Sequence, residues 1–96
     1  MSGVRHEVDG TGVRGKVEAL DAIAAAMSFP DWFGRNLDAL YDSLRDLSWL
    51  PAGEHVLVWS APEVLQAADP RAYQTIVDVL RDASEPGRFT FELSPR

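Results

Sequence analysis

The run Val56-Leu57-Val58-Trp59, which follows His55 near the middle of the chain, constrains the fold more than any other feature. A short, nearly continuous apolar run bounded by breakers reads as a strand lying inside a sheet and buried on both faces. Pro51-Ala52-Gly53 stands before it and Ser60-Ala61-Pro62 after it. A central strand needs a partner on each side, and the two ends of the chain supply candidates. Val4-Arg5-His6-Glu7-Val8 alternates apolar and polar residues and is stopped by Asp9-Gly10-Thr11-Gly12. Arg88 to Leu93 alternates again and gathers Phe89, Phe91 and Leu93 on one side, as an outer strand does.

Helical periodicity fills the intervals. Val17, Leu20, Ile23, Ala24 and Met27 recur three and four residues apart, which predicts a helix over Lys16 to Met27 that stops before Pro30. Asn36 is suited to cap a second helix, Leu37 to Leu47, with Leu37, Leu40, Tyr41, Leu44 and Leu47 on its apolar side. Ser60-Ala61-Pro62-Glu63 matches a capping box and predicts a brief third helix to about Ala67. Asp69-Pro70 predicts the start of a fourth, whose core side carries Tyr73, Ile76, Val77 and Leu80 and which ends before Pro86-Gly87.

Strands separated by helices pair in parallel, since a parallel connection needs a crossover of a dozen residues or more. The expectation is one α/β domain over residues 1–96: a three-stranded parallel sheet of order 1-2-3 packed with about four helices. Two crossovers running in one direction place every helix on the same side. That placement conflicts with a middle strand apolar on both sides.

Composition narrows the function. The 96 residues include no cysteine, which excludes disulfides, thiolate metal sites and cysteine nucleophiles. The formal net charge of -6 disfavours nucleic acid and anionic membranes and favours a basic partner. No leader-like segment opens the chain and no apolar run is long enough to span a bilayer, so a cytoplasmic location is expected.

Gly10-Thr11-Gly12-Val13-Arg14-Gly15 fits the dinucleotide pattern G-x-G-x-x-G between a strand and a helix. The following strand arrives too late for such a unit and ends in Trp59-Ser60, with no acid for a ribose. A turn is the preferred reading. His6 and His55 are the two histidines, and neither has carboxylates or a serine motif at a spacing that suggests a metal centre or a catalytic triad. No catalytic residue, metal or cofactor is expected.

Phe29-Pro30-Asp31-Trp32-Phe33-Gly34 leads directly into Arg35-Asn36-Leu37-Asp38-Ala39-Leu40-Tyr41-Asp42. Asp38, Asp42 and Asp46 recur at i, i+4 and i+8, a spacing at which like charges repel. Either Arg35 and Arg45 pair with Asp38 and Asp42 and the face is merely solvated, or the acids await a basic partner. Phe33 is expected in the core. Trp32, if exposed, is the residue type that anchors interfaces, and Trp49 is a second candidate.

This segment resembles the signature of the barstar family of small intracellular ribonuclease inhibitors: proline, acid, two aromatics, glycine, Asn-Leu-Asp-Ala-Leu, aromatic and aspartate in unbroken order. The likeness extends through Val56-Leu57-Val58-Trp59 and Leu80-Arg81-Asp82-Ala83 to the closing strand. It implies a three-stranded parallel sheet of order 1-2-3. It also implies that the second helix and preceding turn enter the active site of a secreted, guanyl-preferring microbial ribonuclease, one inhibitor to one enzyme. The residues implied at that contact are Trp32, Gly34, Asn36, Asp38, Ala39 and Asp42, with Asp42 at the phosphate position, Asp82 at the edge and Trp49 less securely placed. The family has glutamate where Asp82 stands and tyrosine where Trp32 stands, and its loop after the second helix is shorter, which suggests a different cognate enzyme. The alternative is a module of the same fold that binds another basic protein or toxin.

Overall fold

The computed structural model describes residues 3–96; Met1 and Ser2, the first positions of the expected domain, lie outside them. Strand β1, Val4–Asp9, runs into a 3-10 turn, Gly10–Gly12, and then helix α1, Lys16–Ala26. Helix α2 spans Leu37–Asp46, strand β2 His55–Ser60, helix α3 Glu63–Ala68, helix α4 Pro70–Ala83 and strand β3 Phe89–Ser94. The sheet is parallel throughout and ordered β1-β2-β3, with Val4 and Phe89 flanking His55 and Val8 and Leu93 flanking Trp59. The expected α/β architecture is therefore the observed one.

The core explains how a middle strand can be apolar on both sides while helices cover only one. Val8, Leu57, Trp59 and Phe89 belong to the same buried cluster as Leu20 and Ile23 of α1, Leu40 and Leu44 of α2, Leu65 of α3, and Ile76 and Leu80 of α4. All four helices therefore cover one face of the sheet. Val58 points to the other face, outside that cluster, yet is only 7 % exposed. Side chains of the neighbouring strands shield it: Arg5 of β1 reaches over β2 to Glu92 of β3 at 3.0 Å. Long charged side chains cover apolar surface with their methylene stems while their heads stay in water.

Several local expectations are corrected. Val17 was expected on the packed side of α1 and is exposed, as is Tyr41 on α2 at 39 %. The capping box at Ser60 does not form, because Ser60 is still strand and its hydroxyl donates to the Val8 carbonyl at 3.1 Å; α3 begins at Glu63 without a side-chain cap. Asn36 and Asp69 do cap their helices, accepting from the backbone N–H of Ala39 and Ala72. At the far end of α2, Leu47 takes a left-handed conformation (φ 50°), and its buried side chain offsets the strain.

Arg88 closes the helical layer. Its guanidinium donates to the Leu44 carbonyl at the end of α2 (2.7 Å), the Ala83 carbonyl at the end of α4 (3.1 Å) and Glu85 (2.9 Å). The last carbonyls of a helix lack intrahelical partners and carry partial negative charge, so a cation shared between two helix ends holds both.

Candidate functional site

The turn between α1 and α2 is built by residues other than its glycine, Gly34. Ser28 and Arg35 take the left-handed conformation, at φ 56° and 45°. Gly34 serves space instead: a Cβ there would lie 3.2 Å from Asn36 Nδ2 and 3.7 Å from the Ala39 side chain. Asn36 fixes the junction from both ends, accepting from the Ala39 N–H at 2.8 Å and donating to the Gly34 carbonyl at 2.9 Å. Arg35 ties the turn to α1 through Asp21, at 2.9 Å.

Aromatic packing sets the turn on the core. Phe29 meets Phe33 edge to face at 4.9 Å between centroids and Trp49 at 5.6 Å. Trp49 in turn stands edge-on to Trp32 at 6.4 Å, an arrangement favoured by the ring quadrupoles. Phe33 packs against the core as expected. Trp32 does not: it is 70 % exposed, although burying a large apolar side chain stabilises a fold by roughly 1.5–3 kcal/mol.

Beside Trp32 lies a cleft of about 340 Å³, lined also by Gly34, Ala39, Asp42, Ser43 and Asp46. Four of the expected contact residues, Trp32, Gly34, Ala39 and Asp42, are thus brought together. Asp38 is exposed on the same helix but does not line the cleft, and neither does Asn36, which is exposed and caps the helix. Trp49 is half-buried behind Trp32, and Asp82 is exposed near the end of α4, outside the cleft. The arginine pairing considered for the acidic face is not present. Among the described residues no ion pair includes Asp38, Asp42 or Asp46, because Arg35 is turned to Asp21. The helix therefore carries like charges at i, i+4 with no ion pair among the described residues to offset them, which costs a few tenths of a kcal/mol per pair.

Two residues of the cleft, Asp46 and Ser43, lie outside the contact set that the resemblance implied, and Tyr41, exposed on α2, lies outside the cleft. Asp46 was visible in the i+8 spacing. Tyr41 was absorbed into the apolar side of α2, and buried Ser43 carried no signal of its own.

The other motifs resolve structurally. Gly10 is buried, and a Cβ on it would come within 2.2 Å of the Ser60 carbonyl oxygen, so the glycine admits the end of β2. Asp9 accepts from the N–H and hydroxyl of Thr11 across the turn, and these bonds hold its carboxyl below the usual carboxylate range. An acid at that point repels a phosphate. Among the described residues no group of three or more His, Asp or Glu is disposed to hold a metal, and no helix is long and apolar enough to cross a membrane.

A search of curated proteins returned no match to the chain. The family model described as barstar (barnase inhibitor) matches residues 4–93. That span takes in β1, β2, all of β3 but its last residue, all four helices and the aromatic turn with its acidic helix. The chain belongs to the barstar family of barnase inhibitors.

Proposed function

We propose that this chain is a one-to-one inhibitor of a secreted, guanyl-preferring microbial ribonuclease, held in the cytoplasm until the enzyme is exported. The observation that carries the reading is the union of an exposed Trp32 with Asp42 and Asp46, which have no ion-pair partner among the described residues, around one cleft. In the resting inhibitor those carboxylates face water. Opposite an active site lined with arginine and histidine they take the place of substrate phosphate, and charge-assisted hydrogen bonds offset their desolvation. Trp32 packs on the enzyme beside its catalytic histidine, and Asp38, Asn36 and Asp82 flank the contact. The net charge of -6 adds long-range attraction to a basic enzyme.

Titration of the protein against a panel of small microbial guanyl-preferring ribonucleases tests the proposal. Stoichiometric inhibition that Asp42→Ala abolishes is the expected result. Absence of inhibition across the panel, together with capture of a different basic protein by the same face, would transfer the site to the alternative of an immunity or interaction module.

A further inference from the structure

The two histidines, 49 residues apart in sequence, form one hydrogen-bonded chain beneath the helices. His6 Nε2 lies 2.9 Å from His55 Nδ1. At the outer ends, His6 Nδ1 lies 3.1 Å from the Ala26 carbonyl oxygen and His55 Nε2 lies 2.7 Å from the Pro51 carbonyl oxygen. Both outer partners can only accept, so each outer contact needs an N–H, and the inner contact needs one shared between the rings. Two neutral imidazoles supply two protons for these three contacts. A singly charged pair supplies three and makes them all. A doubly charged pair supplies four and sets N–H against N–H at 2.9 Å, which the inner contact cannot survive.

We propose that His6 and His55 form an acid-operated latch that closes with at most one shared charge and opens when the second ring is protonated. The latch joins four segments: β1, β2, the end of α1 through Ala26, and the loop before β2 through Pro51. The last two flank the acidic helix, for Ala26 leads into the turn that bears Trp32 and Pro51 follows the loop that bears Trp49.

The surroundings offer little to neutralise a second charge. On the helix-facing side of the strands the neighbours are Val4, Val8, Leu57 and Phe89, and the residues of α1 next to Ala26 are apolar. Arg5 and Glu7 of β1 point to the opposite face, where Arg5 is paired with Glu92. The charged residues that share a cleft with His55 are Asp46, at the end of α2, and Arg88. The Arg88 guanidinium is engaged by Glu85 and two helix ends; Asp46 keeps its negative charge while accepting from the Ser48 hydroxyl, but both His55 nitrogens are bonded elsewhere, to His6 and the Pro51 carbonyl. Burial lowers the His6 pKa below 6.5; the Ala26 carbonyl opposes that shift and the charge of His55 reinforces it. Stability that depends on a neutral His6 is complete above the unfolded-chain value and is lost as pH falls through the lower folded value.

These are the only histidines in the chain, so imidazole nitrogen signals report on this pair alone, apart from the carboxylates that also take up protons as pH falls. The test is an imidazole nitrogen NMR titration with urea unfolding measured at each pH. The expected result is two coupled steps, loss of the ring-to-ring hydrogen bond in the second, and an unfolding constant that rises up to about tenfold per pH unit across the window below 6.5. His6→Gln is expected to flatten that dependence; should it not fold, the wild-type titration decides. Rings that titrate independently, an unfolding constant unchanged across the window, or a slope that persists in His6→Gln would each overturn the latch.

Discussion

Trp49 donates its indole N–H to the Met27 carbonyl oxygen at 3.0 Å, so the loop that follows α2 is fastened to the chain that precedes it. The same ring stands edge-on against Trp32. Trp49 thereby supports an exposed aromatic from behind and limits the directions it can adopt.

Replacing Trp49 by Phe keeps much of the packing and removes that hydrogen bond, leaving the Met27 carbonyl short of a partner. A cost of about 1 kcal/mol in stability is expected. Affinity for the cognate ribonuclease is expected to fall by about tenfold as Trp32 gains freedom that binding must take away. Denaturant unfolding and calorimetric titration on the same variant separate the two effects.

Asp42→Ala acts in the opposite way. The carboxylate has no ion-pair partner among the described residues and repels its neighbours, so removal changes stability by less than about 1 kcal/mol. In the complex it leaves the enzyme's cations unpaired and costs about 2–5 kcal/mol of affinity. Stopped-flow association at increasing salt should also show a shallower dependence for the variant, since one steering charge is gone.

Arg88→Ala removes the donor that joins the ends of α2 and α4. Hydrogen bonds from a charged group contribute about 1.5–3 kcal/mol, and a loss of that order is expected in the urea midpoint. Arg88→Lys should recover little of it, because an ammonium cannot span two carbonyls as the guanidinium fork does. Inhibition per folded molecule is expected to be unchanged in both variants.

Gly10→Ala places a methyl within 2.2 Å of the Ser60 carbonyl oxygen, a backbone atom at the end of β2 that cannot rotate away. Overpacking of this kind costs about 1–3 kcal/mol. Gly12→Ala meets nothing within 4 Å and is expected to leave the melting temperature nearly unchanged, which identifies the pair as a strand-end device.

How far these properties could be read in advance depended on the range of the interactions. Strand alternation, the Asn36 and Asp69 caps and the Val56 to Trp59 run are local signals, and they yielded the element order and the sheet. The cover over Val58 was not legible, because it depends on Arg5 and Glu92, which lie 87 residues apart. The same holds for the His6–His55 contact and for the grip of Arg88 on Leu44. At the site, Trp32, Gly34, Ala39 and Asp42 were marked by residue type and order. Tyr41 was misjudged because an aromatic at core spacing normally faces inward, and only the packed neighbours show that Leu40 and Leu44 had already filled that side. Arg35 was considered as a partner for Asp38, its neighbour in sequence, whereas the turn carries it to Asp21.

One consequence of the Arg88 fork concerns how such a protein can change over time. The residues that hold α2 in place, Leu40, Leu44, Leu47 and the carbonyl seized by Arg88, are separate from those at positions 38, 41, 42 and 46, which face outward. Mutations in the second set encounter almost no folding constraint. A lineage can therefore revise the outward set one residue at a time as its target drifts, without passing through an unfolded ancestor.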